Sequence, residues 1–174
     1  MKTVFWAFIL FLPVLCLAQN SIEVGHAQIV YSKPNDSLWV LDKFESPTKK
    51  SRATIMFKHI PILDSLNRPV QPAIGIHYEE VTEKMDCIEY ALNFIGLYPF
   101  HKPMPVLGYP KYSSNKNSLV YLGEYTRYEV NHKVIIAYIL DKHVGIEIIM
   151  DATSELYPKV ESDMLLFLKN IIIK

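Results

Sequence analysis

Cys87 is the residue whose chemistry must be settled first. A thiol attacks only as a thiolate, which needs a base or cation beside it and a third group holding that base. The surrounding sequence is MDCIEYAL. It reads as one face of a helix, with no glycine elbow and no neighbouring histidine, so an inert, packed thiol is expected. The rival is a hydrolase or redox enzyme in which folding brings an imidazole to within about 6 Å of the Cys87 sulfur, since beyond that direct hydrogen bonding is out of reach. His26, His59, His77, His101, His132 and His143 are scattered singly. They form no H-x-x-x-H pair, and no C-x-x-C is present. His77 and Glu79 lie two apart on a strand and share its outward face, but a zinc site wants about four ligands. Glu79, Glu80, Glu83 and Asp86 run into a helix start, where acids complement the dipole. Nothing there has the loop spacing of a calcium site. No catalytic residue, metal or cofactor is expected.

Binding chemistry has a better candidate. Residues 98–117, YPFHKPMPVLGYPKYSSNKN, carry Pro99, Pro103, Pro105 and Pro110 with Tyr98, Phe100, Tyr109 and Tyr112 between them. A connection this long in a compact domain is functional or loosely ordered. Prolines limit the conformations of the aromatics and lower the cost of ordering them on a partner. Phe100, Tyr109 and Tyr112 are the candidate partner-contact residues. Leu119, Tyr121, Gly123 and Tyr125 share a strand face, and with Tyr128 and Tyr138 in neighbouring strands they are expected to pack across strands, the alternative being an aromatic docking surface.

The elements that must position these groups are clearest near the C-terminus. The run KVIIAYIL, 133–140, is β-branched or aromatic at most positions and apolar on both faces. It predicts a central strand covered on both sides. After a turn at Asp141-Lys142, VGIEIIM puts Val144, Ile146, Ile148 and Met150 on a buried face. Gly145, Glu147 and Ile149 fall on a more exposed one. Leu156, Val160, Met164, Phe167, Leu168 and Ile171 then form one stripe at helical period, predicting a helix over 155–171. Thr153 or Ser154 is its expected cap, and Pro158 fits only its first turn.

Upstream, residues 19–25 read as a frayed start. Strands are expected at 26–31, 38–44, 53–62 and 73–80, with 63–72 a connection. In the strand at 73–80, Ile74, Ile76 and Tyr78 face the core, and Gly75, His77 and Glu79 face out. Thr82 can cap a first helix whose buried stripe is Met85, Ile88, Ala91, Leu92 and Ile95. A strand over 118–129 and a tight turn at Asn131-His132 complete the pattern.

Lys+Arg and Asp+Glu are equal at 18 each, so no net field points to nucleic acid. The first residues, MKTVFWAFILFLPVLCLAQN, place Lys2 before an apolar run and then Ala18. This is the pattern of a signal peptide over 1–18, cleaved after Ala18. An uncleaved anchor, or lipidation at Cys16 that would tether the chain to a membrane, are the alternatives. Cleavage leaves Cys87 as the only cysteine and excludes an internal disulfide.

The order of elements resembles the PsbP-like α/β sandwich family of extrinsic photosystem II subunits, Ran-binding Mog proteins and DcrB-type exported bacterial proteins. The likeness rests on IVYSKPNDSLW with Pro34 and Trp39, on PAIGIHYEEV followed by EKMDCIEYALNFI, and on the closing GIEIIMDATSELYPKVESDMLLFLKNI. It implies a single α+β domain over 19–174, an antiparallel sheet packed with an internal helix and a C-terminal helix. It also implies docking of proteins or small ligands without shared catalysis. The expectation is an exported, non-enzymatic binding or docking protein of the bacterial envelope, periplasmic or extracellular, with an unknown protein or small-ligand partner. The second rival is a purely structural envelope component.

Overall fold

A computed structural model describes residues 19–35, 37–46, 52–82, 84–98 and 105–174. The expected signal peptide over 1–18 and its expected cleavage after Ala18, together with Cys16 and Phe100, fall outside the described residues.

The elements are β1 (Gln19–Val24), β2 (Ala27–Ser32), β3 (Trp39–Glu45), β4 (Ala53–His59), β5 (Ile62–Leu63), β6 (Pro69–Val70), β7 (Ala73–Glu80) and α1 (Cys87–Ile95). They continue with β8 (Pro105–Leu107), β9 (Ser118–Arg127), β10 (Val130–Asp141), β11 (Val144–Thr153), α2 (Tyr157–Asn170) and β12 (Ile172–Ile173). Seven strands form the main sheet in the order β3-β4-β7-β11-β10-β9-β8, antiparallel at every pairing. A small sheet β1-β2-β12 packs beside it, and β5-β6 is a separate hairpin. The architecture is the expected α+β sandwich, with one internal and one C-terminal helix.

The two faces of the main sheet are sealed differently. On one, Ile135, Ala137 and Ile139 of β10 and Ile146, Ile148 and Met150 of β11 meet α2 and the small sheet in a continuous apolar core. The α2 stripe supplies Val160, Met164, Phe167 and Leu168 to it, all essentially inaccessible. The Phe167 ring meets Phe57 and Tyr31 edge-on, with centroids 5.9 and 6.4 Å away. On the other face Val134, Ile136, Tyr138 and Leu140 pack with α1. Residues 134–140 are therefore buried on both sides, in keeping with the two-faced apolar run.

Several local expectations are corrected. Residues 19–24 are not frayed: β1 pairs with β2 from Gln19↔Ser32 to Val24↔Ala27. The chain end pairs with the other edge of β2 through Ile172↔Val30 and Ile173↔Ile29. The first segment is one arm of a local hairpin turning at Gly25-His26, where Gly25 has φ of 57°, whereas the chain end gains its hydrogen bonds from a partner far away in sequence. The stretch 53–62 breaks at His59, and Ile62–Leu63 turns back on Pro69–Val70 inside the expected connection. The β9–β10 turn is Tyr128-Glu129, not Asn131-His132, with φ of 49° and 64°. The β10–β11 turn is Lys142-His143, one residue beyond the expected pair, with φ of 48° and 62°. Two left-handed residues match the twist of a two-residue hairpin, even where the side chains are not the glycine or asparagine that would advertise it. Helix α2 begins after Leu156 without a side-chain cap, because β11 runs through Thr153 and Pro158 already suits the first turn.

Replacing Phe167 by aspartate is expected to abolish cooperative unfolding in a denaturant titration, whereas Lys169→Glu should stay within about 0.5 kcal/mol of the parent. Equal midpoints for the two variants would contradict the packing of α2.

Candidate functional site

The alternation of β11 puts Glu147 on its more exposed face. The residue is instead fully buried, because α1 covers that face. The Arg52 Nη2 group pairs with Glu147 Oε2 at 2.5 Å. Glu147 Oε1 accepts from the Tyr98 hydroxyl at 2.8 Å and from the Tyr138 hydroxyl at 2.9 Å. The guanidinium of Arg52 lies 3.9 Å above the Phe94 ring. The Tyr90 hydroxyl donates to Glu79 Oε1 at 3.1 Å, and its ring meets Tyr138 edge-on at 6.1 Å. Gly145, on the same face of β11, lets Tyr90 approach: a Cβ there would sit 2.5 Å from the ring.

The electrostatics follow from burial around a fixed charge. Burial and then the Glu147 carboxylate push both Tyr98 and Tyr138 well above the ordinary tyrosine value. Burial and then Glu79 do the same to Tyr90. For Arg52 burial acts downward, but Glu147 outweighs it and the net shift is upward. His77 shares this covered face rather than a solvated one, with Nδ1 3.0 Å from the Thr54 hydroxyl. Burial, then the nearby Arg52, holds its pKa below the usual imidazole value. The hydroxyls are held in their protonated form as donors, which makes this cluster a clamp between α1 and the sheet.

The clamp also sets the rotation of α1. Asp86 caps the helix in place of Thr82, accepting from the backbone N–H groups of Ile88 and Glu89, while the Glu89 carboxylate accepts from the Asp86 N–H. The buried residues are Tyr90 and Ala91, with Phe94 partly covered. Ile88 and Leu92, expected inside, are 56% and 64% exposed. Cys87 lies at the start of the helix, and its thiol points to the Tyr138 carbonyl at 3.5 Å. Burial raises its pKa to about 11. Among the described residues that hydrogen bond is to a carbonyl, not to a histidine. No group of three His, Cys, Asp or Glu among those residues is arranged to hold a metal ion.

Beside Cys87 runs a groove of about 550 Å³ between α1, β8 and the β10–β11 turn. Val81, Leu119 and Leu140 are buried at its base, and Ile88 and Leu107 stand exposed on its flanks. Lys84, Lys116, Lys142 and His143 line its rim. Asp86 and Asp141 also line it. The first is occupied by its helix cap and the second accepts from the Lys142 N–H at 3.0 Å.

The proline-rich segment is split in its behaviour. Tyr109, next to a cis bond to Pro110, is 45% exposed. Tyr112 is half-buried and packs against the α2-side core beneath the Lys111 ammonium, 4.6 Å from its ring centre. The residues after Tyr112 serve as the C-terminal cap of α2. The Ser114 hydroxyl donates to the Lys169 carbonyl at 2.7 Å, and Asn115 Nδ2 donates to the Ile171 carbonyl at 2.8 Å. Asn115 Oδ1 in turn accepts from the Ile173 N–H at 3.2 Å. The polar run Ser113-Ser114-Asn115 is the signal the sequence carries for this cap; its distant target is not encoded nearby.

Fold and clamp together define a class: an α+β sandwich whose sheet is sealed by an apolar helix on one face and a polar-clamped helix on the other. LpqN of Mycobacterium tuberculosis, whose solved structure is described as involved in cell envelope biogenesis, shares the fold. The likeness has a TM-score of 0.58 over 90% of this chain and 91% of that chain, at 13% identity. No family model matches, and no curated protein matches. No helix of the described residues is long and apolar enough to cross a membrane.

Glu147→Ala leaves a part-buried guanidinium and two hydroxyls without this acceptor and should cost about 3–5 kcal/mol, while the joint Arg52→Met/Glu147→Leu change should recover the share due to the guanidinium but not that of the two hydroxyls. A double-mutant cycle by urea unfolding checks this, and additive effects would contradict the clamp. The raised tyrosines set a pH window. Protonated Tyr98 and Tyr138 are favoured by the fold, so their contribution is intact below the unfolded tyrosine value of 10.0 and falls as pH rises above it. Alkaline unfolding followed by phenolate absorbance should show these tyrosines ionising only as the fold is lost.

Proposed function

We propose that this chain is a non-enzymatic binding protein of the bacterial cell envelope, built on a PsbP-like sandwich. Its docking surface is the α1–β8 side, and its partner is a protein segment bearing apolar and acidic side chains. The observation that carries the reading is the groove beside Cys87. Its apolar flanks, Ile88 and Leu107, are exposed, and Leu92 continues the same face one helical turn further along. Its lysines, Lys84, Lys116 and Lys142, stand beside aspartates already occupied by backbone N–H groups. Those hydrogen bonds leave the aspartates charged, so the three lysines exceed the two aspartates by a single positive charge, and an acidic partner group is favoured at the lysines.

The apolar N-terminal run ending in Ala18 supports export, and the envelope role stated for LpqN is consistent with it at the level of fold. Against a Cys87-dependent enzyme stands the thiol itself. With a pKa of about 11 it is overwhelmingly protonated near neutrality, which suits a packed residue rather than a nucleophile. Tyr109 lies on the exposed part of the segment that runs on from β8 and joins the proposed contact, with Phe100 and Tyr112 tested alongside it.

A photo-crosslinking amino acid at Leu107, with a second version at Phe44 on the far edge of the sheet, tests the surface in intact cells. The expected result is an adduct with another protein from Leu107 but not from Phe44, lost when Lys84, Lys116 and Lys142 are changed to glutamate in a protein that melts normally. Equal adducts from both positions, or an adduct indifferent to charge reversal, would remove the proposal. Replacing Phe100, Tyr109 and Tyr112 together by serine should weaken the same adduct.

A further inference from the structure

The main sheet ends on one side at β3. Among the described residues β3 pairs only with β4, so the outward backbone N–H and C=O groups of Trp39–Glu45 have no strand beside them. Trp39 is buried, but Val40, Leu41 and Phe44 are 56%, 46% and 55% exposed. An open edge strand with apolar side chains is a template for pairing with another chain. The other edge of the sheet, β8, is short and starts with Pro105, two features that discourage such pairing.

The directions in which the β3 side chains point limit what can pair with it. A bulge between Leu41 and Lys43 leaves Asp42 without a partner in β4. Leu41 and Phe44 lie opposite Phe57 and Ile55, whose side chains enter the α2-side core, so both point to the α2 face. Val40, Lys43 and Glu45 lie opposite Lys58, Met56 and Thr54 and point to the α1 face. Asp42 joins them there, since its carboxylate pairs with Lys58 Nζ at 3.0 Å. From Val40 to Glu45 the faces therefore read α1, α2, α1, α1, α2, α1, the same in both directions. A regular strand alternates strictly, so it can match β3 before the bulge or after it but not through it. A second β3 running antiparallel matches at every position from Val40 to Glu45, with a two-fold axis between Asp42 and Lys43.

We infer that the β3 edge is a contact between two copies of this chain, paired antiparallel about that axis so that the two main sheets join into one. The chemistry is self-complementary in the same register. Leu41 falls opposite Phe44 of the second copy on the α2 face, and the two-fold axis repeats the pair. Asp42 falls opposite Lys43 of the second copy on the α1 face, again twice. Both charges lie at the surface and already have a partner within the chain, Asp42 in Lys58 and Lys43 in Glu45 at 2.8 Å, so no lone charge is buried. A slip of one residue either way sets Lys43 against Lys43 or Asp42 against Asp42 and breaks the match of faces. The bulge and the charges thus obstruct other strands and admit a copy of β3 in one register. This inference is independent of the docking surface, which lies at the β8 side of the same sheet.

Sedimentation velocity of the chain from residue 19 onward tests the contact. One pair of strands makes a small interface, so a reversible dimer with a dissociation constant on the order of 10–100 μM is expected. The mass should rise from one copy to two and no further, because a two-fold contact closes on itself. Lys43→Asp sets aspartate against Asp42 of the second copy, and Asp42→Lys sets lysine against Lys43. Each variant alone should dimerise at least about tenfold more weakly than the parent. An equal mixture of the two should dimerise again, because every cross-copy pair then joins opposite charges. A role of these charges within one chain predicts no such recovery. Phe44→Ser, at an exposed position, should weaken the dimer without lowering the melting temperature. A photo-crosslinking amino acid at Phe44 should give an adduct of twice the mass of the chain. A parent that stays monomeric up to about 500 μM, an assembly that grows past two copies, or a mixture no more dimeric than its two components would overturn the assignment.

Discussion

A single carboxylate with no access to water, that of Glu147, constrains the rest of this fold. Such a group can remain charged only if cations and donors are brought to it. Arg52 comes from the approach to β4, Tyr98 from beyond the end of α1, and Tyr138 from β10. One buried charge thereby ties three separate parts of the chain to β11. Pairs of this kind contribute little net stability, because desolvation offsets the attraction, but a wrong placement leaves them uncompensated. Here that asymmetry fixes where α1 sits and how it is rotated. Tyr90 settles against Gly145, Phe94 lies under Arg52, and Ile88 and Leu92 are left outside.

The opposite face has no such arbiter. Between α2, the small sheet and the strands the contacts are mostly apolar, joined by one hydrogen bond from Trp39 Nε1 to Asp163 Oδ2 at 3.0 Å, and shape does most to set the packing. The helix that closes it is secured at its C-terminal end by Ser114 and Asn115, which supply donors for the carbonyls of Lys169 and Ile171. The two faces divide the work. The α2 face holds the sheet together. The α1 face carries a short helix held by polar contacts, with apolar side chains turned outward beside a groove rimmed by lysines and aspartates. The surface proposed for docking is therefore on the α1 side, while at the ends of the strands two tight turns of non-glycine residues hold side chains away from the sheet.

Elements with strong internal patterning were legible from the chain alone. The run through Val134 and Leu140 announced a strand buried on both faces, and the spacing of Val160, Met164, Phe167 and Leu168 announced the helix that seals one of them. The first helix was visible as an element but not in its rotation. Ile88 and Leu92 are more apolar than Tyr90, so a reading by hydrophobicity turns the helix the wrong way. Glu147 was misplaced for the same reason, since a charge in an alternating strand reads as solvent-facing unless its counter-ion is known. Of the candidate contact residues, Tyr109 is exposed as a loop aromatic should be, while Tyr112 is drawn into the core by packing that no local signal encodes.

The sequence by itself determined the α+β class, the antiparallel layout and the apolar stripe of the closing helix, because those properties depend on periodicities within a few residues of each other. Tertiary structure alone decided the pairing of β2 with the final residues, the burial of Glu147 and the outward face of α1. Each of these depends on a hydrogen-bond or charge partner far away in the chain, and the free energy of a polar group is set by that partner rather than by its neighbours in sequence.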